Sequence, residues 1–465
     1  TDMNADEWLP VRPGTEHLVA LAMARAIVES GQGQAGAAAG MLQRVDIAQV
    51  AQAAGVSEEK IRSAARAFAS VPSLAVGPGV QTTHAKATSV AMAVALLNYV
   101  AGNYGTTINF GRTERFAQTG TYRDLAALVS AMAEGQVGAL LVYGPNPLYS
   151  VPLAEGAAQA IANVPFVASF SPYLDETSEQ ADVLLPDHHF LESWGDYEPR
   201  NGMYSLVQPV MMPVFQTKQT GDVLLSVARR AGAALPTNAT TFYDYLREHW
   251  AREVYPQAGT TASFDAWWRE ALQNGVVVID APAAPAVALN AGALQQLDTT
   301  LPEFAGDGDL YFVAYPSYRF YDGRTANRPW LQELPDPVSK ISWTSWVEVN
   351  PDTAERLGLD TGSMAEVTTP YGTAELPVWI HPGTRPDVIG VQIGQGHTEF
   401  GRYARDRGVN AVNFLSPVIE EQSGSFVWIQ ATASLRPTGE RKKLPKTGNP
   451  SQEGRDGARA TTLGQ

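Results

Sequence analysis

From Ser73 onwards, short apolar segments typical of strands alternate with segments typical of helices, and this alternation restricts the fold more than any other feature of the sequence. The strand-like segments are SLAVGPG (73–79), GALLVYGPNP (138–147), VPFVASFSPYLDE (164–176) and ADVLLPD (181–187), and helical segments lie near 86–101, 121–135 and 154–162. Strands that alternate with helices form a parallel, doubly wound sheet. The sequence therefore predicts an α/β domain with ligands at the carboxyl ends of its strands.

The rest of the chain is predicted to form further units around this domain. Thr15 and Ser57 are expected N-caps of two early helices. After Asp309, short strands are separated by proline and glycine, a pattern typical of a small β-barrel, and TPYGTAEL predicts a hairpin turn at Tyr371–Gly372. The predicted units are a helical remainder of an α/β domain (1–66), an α/β dinucleotide-binding-like domain (67–230), a helical segment and linker (231–310), a β-barrel domain (311–436) and a polar tail (437–465).

Charge and composition exclude several classes of function. The formal net charge is −15, so the chain lacks the basic surplus that nucleic-acid binding requires. It contains no cysteine, and this excludes disulfides, thiolate nucleophiles and cysteine-ligated zinc or iron–sulfur clusters in this chain. The longest uncharged stretch, Ala87–Gly111, is interrupted by asparagines and predicts a buried helix. The acidic first residues do not resemble a signal peptide, and we expect a processed or partial chain.

No familiar catalytic motif occurs in the sequence. HExxH, GxSxG and GxxxxGK[ST] are all missing, which argues against zincin, hydrolase and Walker-type chemistry. The His188–His189 doublet is a poor metal site, because neighbouring side chains on an extended segment point in opposite directions. His397 could act as an acid or a base, although a hydrogen-bonded structural role is favoured. We therefore predict no catalytic residue and no metal ligand.

Turns rich in glycine and asparagine at the strand ends remain as candidate binding elements. These are GPGVQTTH (77–84), YGPNP (143–147), SPYLDETSEQADVLLP (171–186) and GRYARDRGVNAVNFL (401–415). Their backbone N–H groups and amide side chains suit phosphate and purine edges without bulk positive charge. A structural alternative stays open for each turn: Asn146 could cap a turn before Pro147, and Asp175 and Glu176 could cap the turn that follows them.

The order of these motifs along the chain resembles the molybdopterin oxidoreductase superfamily. The resemblance covers nearly the whole chain and includes the opening ADEWLPVRPGT and the stretch DETSEQADVLLPDHHFLESWGD. It implies a C-terminal barrel of the double-psi type. In that family such turns line a site for two pterin guanine dinucleotides that hold molybdenum or tungsten. By resemblance, the residues that would face one nucleotide are Gly144, Asn146, Asp175 and Glu176, and those that would face the pterins are Arg402, Gly408, Asn410 and Asn413.

The start of the sequence departs from the family pattern. Family members begin with a domain that often binds a 4Fe–4S cluster, followed by the residue that ligates the metal, and this chain begins after both. We therefore expect it to form only part of the cofactor cradle. Another chain, or an N-terminal portion, would supply the rest, or else no cofactor is bound and the cradle residues are vestigial.

Two further stretches resemble one branch of the superfamily. They are HHFLESWGDYEPRNGMYSLVQPVMMPVF (188–215) and GRTANRPWLQELPDPVSKISW (323–343). The branch comprises polysulfide-reductase-like enzymes and the molybdoenzyme-like subunit of alternative complex III, a quinol:electron-acceptor oxidoreductase, and that subunit carries no molybdenum cofactor.

The branch implies a function, a location and partners for this chain. The chain would be a component of an oxidoreductase complex that is not catalytic by itself, on the extracytoplasmic (periplasmic) face of a bacterial membrane. Its partners would be an iron–sulfur ferredoxin-like subunit or domain, an integral membrane quinol-binding subunit and cytochrome c subunits. The alternative is part of a true molybdenum bis-pterin-guanine-dinucleotide oxidoreductase of the polysulfide or thiosulfate reductase type.

Overall fold

Helices dominate the first hundred residues of the computed structural model, which describes residues 5–77, 79, 83–114, 119–152, 156–280 and 287–447. These helices are α1 (Glu16–Glu29), α2 (Ala39–Leu42), α3 (Ile47–Ala54), α4 (Glu58–Ser70) and α5 (Ala87–Val100). They share one core, which continues past residue 66 because α5 packs on α1. Ser57 caps α4 as expected, by accepting a hydrogen bond from the Lys60 N–H, whereas the Thr15 hydroxyl donates to the Arg12 carbonyl and caps nothing.

The first expected strand is missing from the described residues. Residues 73–77 belong to no helix and to no sheet. The Asn98 carboxamide hydrogen-bonds both the N–H and the carbonyl of Ala75, at 2.9 Å each, and so occupies the place that a neighbouring strand would take. The prediction of a strand over SLAVGPG was therefore wrong for these residues, while positions 78 and 80–82 of the GPGVQTTH turn lie outside the described residues.

A parallel sheet follows, as the alternation predicted. Its three strands are β1 (Leu140–Val142), β2 (Val167–Ser169) and β3 (Val183–Leu184), in that spatial order, and its helices are α6 (Tyr122–Ala133), α7 (Pro147–Ser150) and α8 (Ala157–Ala162). Helices α6 and α8 bury one face of the sheet around Val129 and Ile161. β1 was expected to be fully buried, but it is an edge strand, and Leu141, which points to the other face, is 53% exposed.

An antiparallel sheet and an aromatic cluster come next along the chain. The strands are β4 (Gly195–Arg200), β5 (Met203–Val207) and β6 (Val276–Val278), and the helices are α9 (Thr220–Arg230), α10 (Phe242–His249) and α11 (Phe264–Asn274). Trp250, Trp267 and Trp268 are buried together against this sheet. The tryptophans of α11 therefore belong to a core. Residues 281–286 of the expected linker lie outside the described residues.

The C-terminal region is a closed six-stranded β-barrel. Its strands are β7 (Leu310–Pro316), β8 (Val347–Val349), β9 (Ser363–Thr368), β10 (Thr373–Ile380), β11 (Val388–Ile393) and β12 (Thr432–Arg441), in the closed order β10-β8-β11-β7-β12-β9. Short helices are α12 (Ala291–Leu294), α13 (Pro329–Glu333) and α14 (Pro351–Leu357). Alternate residues such as Phe312, Val347 and Val391 fill the interior. The predicted hairpin at Tyr371–Gly372 is present between β9 and β10.

These elements confirm the predicted class, an α/β sheet domain followed by a C-terminal β-barrel. The exact domain boundaries stay predictions. β12 extends to Arg441, and residues 448–465 of the expected polar tail lie outside the described residues. Among the helices of the described residues, none combines the length and the apolar composition that a membrane crossing requires.

Candidate functional site

The carboxyl ends of β1 and β2 meet through one asparagine. Asn146 follows β1 at the start of α7, and its side-chain oxygen accepts hydrogen bonds from the N–H of Thr177 at 3.1 Å and from the Thr177 hydroxyl at 2.7 Å. Its Nδ2 donates to Oε2 of Glu176 at 2.6 Å. Asn146 and Glu176 were both predicted at this edge, and their contact follows from the parallel order of the strands.

Glu176 connects the sheet to the barrel. Its carboxylate accepts hydrogen bonds from Nδ1 of His397 at 3.1 Å, from the N–H of Thr398 at 2.8 Å and from the N–H of Glu399 at 3.3 Å. Burial alone would raise the pKa of the Glu176 carboxyl. The hydrogen bonds and the charge from His397, together with the Asn146 amide, outweigh burial and hold this pKa at about 2.

The depressed pKa of Glu176 predicts an acid-sensitive interface. Because the folded-state pKa of about 2 lies below the ordinary value of 4.5, the stabilisation is complete above pH 4.5 and is lost as the pH falls towards 2. The loss should reach about 3 kcal/mol at most. We expect the difference in unfolding free energy between the wild type and Glu176→Gln, measured by urea denaturation from pH 7 to pH 3, to shrink with acidification. A difference that is independent of pH would contradict this assignment.

His397 lies buried between aromatic rings and two acceptors. Its ring stacks on Tyr149 with centroids 3.5 Å apart and an interplanar angle of 10°. Nε2 lies 3.2 Å from the Gly323 carbonyl oxygen, while Nδ1 faces Glu176. Both ring nitrogens therefore face acceptors, Nδ1 the Glu176 carboxylate and Nε2 a backbone carbonyl. This is the hydrogen-bonded role that the sequence favoured for His397.

Tyr149 extends the contact to the next barrel loops. Its hydroxyl donates to the Gln395 carbonyl at 2.9 Å, and its own carbonyl accepts from Nδ2 of Asn410 at 2.9 Å. Burial, and secondarily the Glu176 charge, raise the pKa of Tyr149 well above its usual value. The Asn410 side-chain oxygen accepts from the Val412 N–H and caps the short helix Ala411–Phe414. Asn146, Glu176 and Asn410 are thus linked through Tyr149 and His397.

The other predicted residues are not part of this linked group. Asp175 is buried, but its carboxylate accepts from the Ser171 hydroxyl and the Ser178 N–H, so it stabilises its own turn, as the structural alternative proposed. Arg402 is exposed and lies over the Tyr403 ring. Gly144, with φ of +88°, borders open space, and Gly408 lies against Ser345. Asn413 is exposed on the barrel surface.

The hydrogen bonding of this linked group of residues does not fit a pterin dinucleotide held by Asn146, Glu176 and Asn410. The amide of Asn146, the carboxylate of Glu176 and the amide of Asn410 all have protein partners. The Tyr149–His397 stack fills the space between them. A nucleotide that used these groups would have to break bonds that join the sheet to the barrel. Of the predicted residues, only the exposed ones, such as Gly144 and Arg402, leave room for a ligand.

Sequence reasoning missed Tyr149 and two buried glutamines. Gln332 and Gln395 pair through their carboxamides, with Nε2 of Gln395 donating to Oε1 of Gln332 at 2.7 Å. The two glycines of GQGHTEF were a usable signal, because glycine readily adopts a positive φ and lets backbone approach neighbouring loops closely. In the structure, φ is +119° at Gly394 and +82° at Gly396. No signal in the sequence pointed to Tyr149.

The histidine doublet does not form a metal site in the described residues. Nδ1 of His189 accepts from the Leu191 N–H and caps a short helical turn. The ring nitrogens of His188 are buried and make no hydrogen bond there. Within the described ranges, no three His, Asp or Glu side chains are grouped so that they could hold a metal ion.

Comparison with known proteins identifies the family. The family model described as "Molybdopterin oxidoreductase" matches residues 2–230, and the one described as "Molydopterin dinucleotide binding domain" matches residues 310–426. The fold is similar to acetylene hydratase from Pelobacter acetylenicus, with a TM-score of 0.69 and 18% identity over 94% of this chain and 72% of that one.

Curated relatives agree with these matches. The menaquinone reductase molybdopterin-binding-like subunit of Nitratidesulfovibrio vulgaris is 27% identical over 94% of this chain and 64% of its own length. The arsenate respiratory reductase molybdopterin-containing subunit of Shewanella sp. (strain ANA-3) is 24% identical over 58% of this chain and 40% of its own length. This chain therefore spans less than two thirds of each of these relatives. The two family models, which together match residues 2–230 and 310–426, show that the chain belongs to the molybdopterin oxidoreductase family.

Proposed function

We propose that this chain is a scaffold subunit of a membrane-associated respiratory quinol:electron-acceptor oxidoreductase of the alternative complex III type, without a redox centre of its own. The observation that carries the proposal is the hydrogen bonding between the sheet and the barrel at the candidate site. The polar groups of Asn146 and Glu176, which were predicted to face a nucleotide, and of Asn410, which was predicted to face a pterin, instead join the sheet to the barrel. In this role they are structural residues.

Two further facts support the scaffold role. The sequence contains no cysteine, so it cannot bind a cysteinyl iron–sulfur cluster. A relative that matches most of this chain is named a molybdopterin-binding-like subunit of a menaquinone reductase. In the scaffold role, electrons would pass through neighbouring subunits. The proposed partners are an iron–sulfur ferredoxin-like subunit or domain, an integral membrane quinol-binding subunit and cytochrome c subunits, on the periplasmic side of the membrane.

A second candidate function is part of a true molybdenum oxidoreductase that acts on a small sulfur compound or oxo-anion. The match of residues 310–426 to a molybdopterin dinucleotide binding domain favours it, as does the similarity to the thiosulfate reductase subunit of Salmonella typhimurium, 22% identical over 61% of this chain. The open space beside Gly144 is compatible with a nucleotide at the end of β1. When bound, the pterin cofactor would supply a metal for oxygen-atom or electron transfer.

Elemental analysis separates the two candidates. The assembly that contains this chain should be purified from the cells that produce it, and its molybdenum, tungsten and acid-released guanine nucleotide quantified per chain. The scaffold role predicts iron from partner subunits but no stoichiometric molybdenum, tungsten or guanine nucleotide. One molybdenum with two guanine nucleotides per chain would overturn it in favour of the molybdenum enzyme. A catalytically active molybdoenzyme purified by the same steps serves as the positive control.

A further inference from the structure

Four of the seven lysines of this chain lie together where β12 ends. With one arginine they form a basic face, which comprises Lys340, Arg441, Lys442, Lys443 and Lys446. The residues after β12 run beside residues 340–342, because the Thr447 N–H donates to the Lys340 carbonyl at 3.2 Å and the Ser342 N–H donates to the Pro445 carbonyl at 3.0 Å. Of the five side chains, only Lys446 is half-buried, and the other four are exposed. A chain whose formal net charge is −15 thus carries a local cluster of positive charge.

Exposed apolar side chains adjoin the basic face. Trp330, Leu334 and Val338 are 84%, 50% and 39% exposed. Trp330 and Leu334 are one helical turn apart, since the Leu334 N–H donates to the Trp330 carbonyl at 2.9 Å. The helix that contains Trp330, α13, lies beside the stretch that follows Lys340, because the Trp343 N–H donates to the Gln332 carbonyl at 3.2 Å. The apolar and the charged side chains therefore border one another.

Nearby carboxylates only partly offset the charge of the basic face. Asp360 pairs with Arg441 at 3.3 Å, and Glu333 and Glu440 are exposed. Asp336 is buried, and its carboxylate accepts hydrogen bonds from N–H groups of its own turn. The five cations therefore outnumber the exposed carboxylates beside them. Because salt screens charges over about 8 Å, an approaching surface senses this local charge more than the net charge of the chain.

The composition of this surface favours lipid over protein as its occupant. Lysine is depleted in protein–protein interfaces, where arginine is preferred. The flexible ammonium groups of lysine suit headgroup phosphates, which have no fixed arrangement, and attract an anionic leaflet. Tryptophan is enriched where headgroups meet acyl chains. Cations beside exposed apolar side chains are thus typical of proteins that lie on a membrane without crossing it.

We infer that the basic face, together with Trp330, Leu334 and Val338, binds the surface of an anionic phospholipid bilayer. The lysines lie at the headgroup phosphates, and the Trp330 ring enters the interface below them. This goes beyond the proposed function by adding a direct contact with lipid. The inference rests on charge and exposure at the end of β12 and not on the cofactor, so the vesicle experiment and the elemental analysis can fail independently.

Co-sedimentation of the full chain with lipid vesicles tests the inference. The vesicles consist of phosphatidylcholine alone or of phosphatidylcholine mixed with anionic phosphatidylglycerol. We expect binding to the anionic vesicles only, and we expect added salt to weaken it. Equal binding to both kinds of vesicle, or binding to neither, would overturn the inference. Binding to immobilised polyglutamate without binding to vesicles would also overturn it, because that result would assign the basic face to an acidic protein.

Paired substitutions locate the binding surface. Lys442→Gln combined with Lys443→Gln should weaken binding to anionic vesicles by about 25-fold, since each lysine near such a surface contributes about fivefold. The matched control, Lys60→Gln combined with Lys218→Gln, removes the same charge at exposed positions on α4 and before α9 and should leave binding nearly unchanged. The thermal midpoint should be that of the wild type in both double variants. Equal losses of binding in the two would contradict the assignment.

A tryptophan substitution tests the apolar contribution. Trp330→Ala should weaken binding at low and at high salt, because salt does not screen the loss of apolar contact. The control is Trp8→Ala, at a tryptophan that is 52% exposed near the start of the chain, and it should bind like the wild type. Wild-type binding by Trp330→Ala would contradict the placement of this ring in the interface.

Discussion

Replacing Glu176 by alanine should lower the unfolding free energy of this chain by about 2–5 kcal/mol, because donors that are buried or half-buried lose their acceptor at about 1–3 kcal/mol each. The change leaves Nδ1 of the buried His397 and Nδ2 of the half-buried Asn146 without their acceptor, as well as the exposed N–H of Thr398. Such unsatisfied groups cost more than the hydrogen bonds themselves contribute. Urea denaturation followed by tryptophan fluorescence measures the change in unfolding free energy.

Two controls make the Glu176 experiment specific. Glu253→Ala removes a carboxylate whose partner, Arg252, is its exposed neighbour in the sequence, and it should leave the denaturation midpoint unchanged. A double-mutant cycle of Glu176→Gln with His397→Gln should yield a coupling energy well above the error of the measurement. Additive effects of the two substitutions would show that the carboxylate and the imidazole do not stabilise each other.

The second large effect is expected from Gly396→Ala. Gly396 has φ of +82°, and a Cβ at this position would lie 2.8 Å from Cα of Asn410, which is backbone that cannot move aside as a side chain can. The left-handed conformation costs roughly 1–2 kcal/mol for a non-glycine residue, and overpacking typically adds about 1–3 kcal/mol. We therefore expect a loss of about 2–5 kcal/mol in the free energy of unfolding, measured by urea denaturation.

Gly358→Ala is the matched control for this substitution. Gly358 ends α14 with φ of +66°, and its Cβ would meet no atom within 4 Å. The control therefore carries the cost of the backbone conformation without the steric clash, and it should lose only about 1–2 kcal/mol. Equal losses in the two variants would show that the contact between Gly396 and the Asn410 backbone has no energetic role.

The alternation of strands and helices correctly predicted the sheet, because the pattern reports which faces are buried. It failed for residues 73–77, where the side chain of Asn98, distant in sequence, takes the position of a neighbouring strand. It also failed for the burial of β1, because a run of apolar residues does not reveal whether a strand has one neighbour or two. Both errors concern which distant parts of the chain lie next to a given segment, and the local pattern of apolar residues does not encode those neighbours.

The candidate site was predictable only in part. Asn146 and Glu176 could be placed together because parallel strands end at one edge. The bond from Glu176 to His397 joins residues 221 positions apart, and nothing in either local sequence specifies it. For the same reason, the family resemblance assigned ligand roles to Asn146, Glu176 and Asn410, whose side chains already have hydrogen-bond partners within the protein. Residue identity predicts which groups are available for binding, but only the folded chain shows which of them remain free.

The closed order of the barrel strands has a consequence for synthesis of the protein on the ribosome. β12, the last strand of the barrel along the chain, pairs with both β7 and β9 and so completes the ring. Until Arg441 has left the exit tunnel, β7 and β9 each present an unpaired edge in the nascent polypeptide. Chains released before that point would expose two aggregation-prone edges, and we therefore expect them to require chaperones.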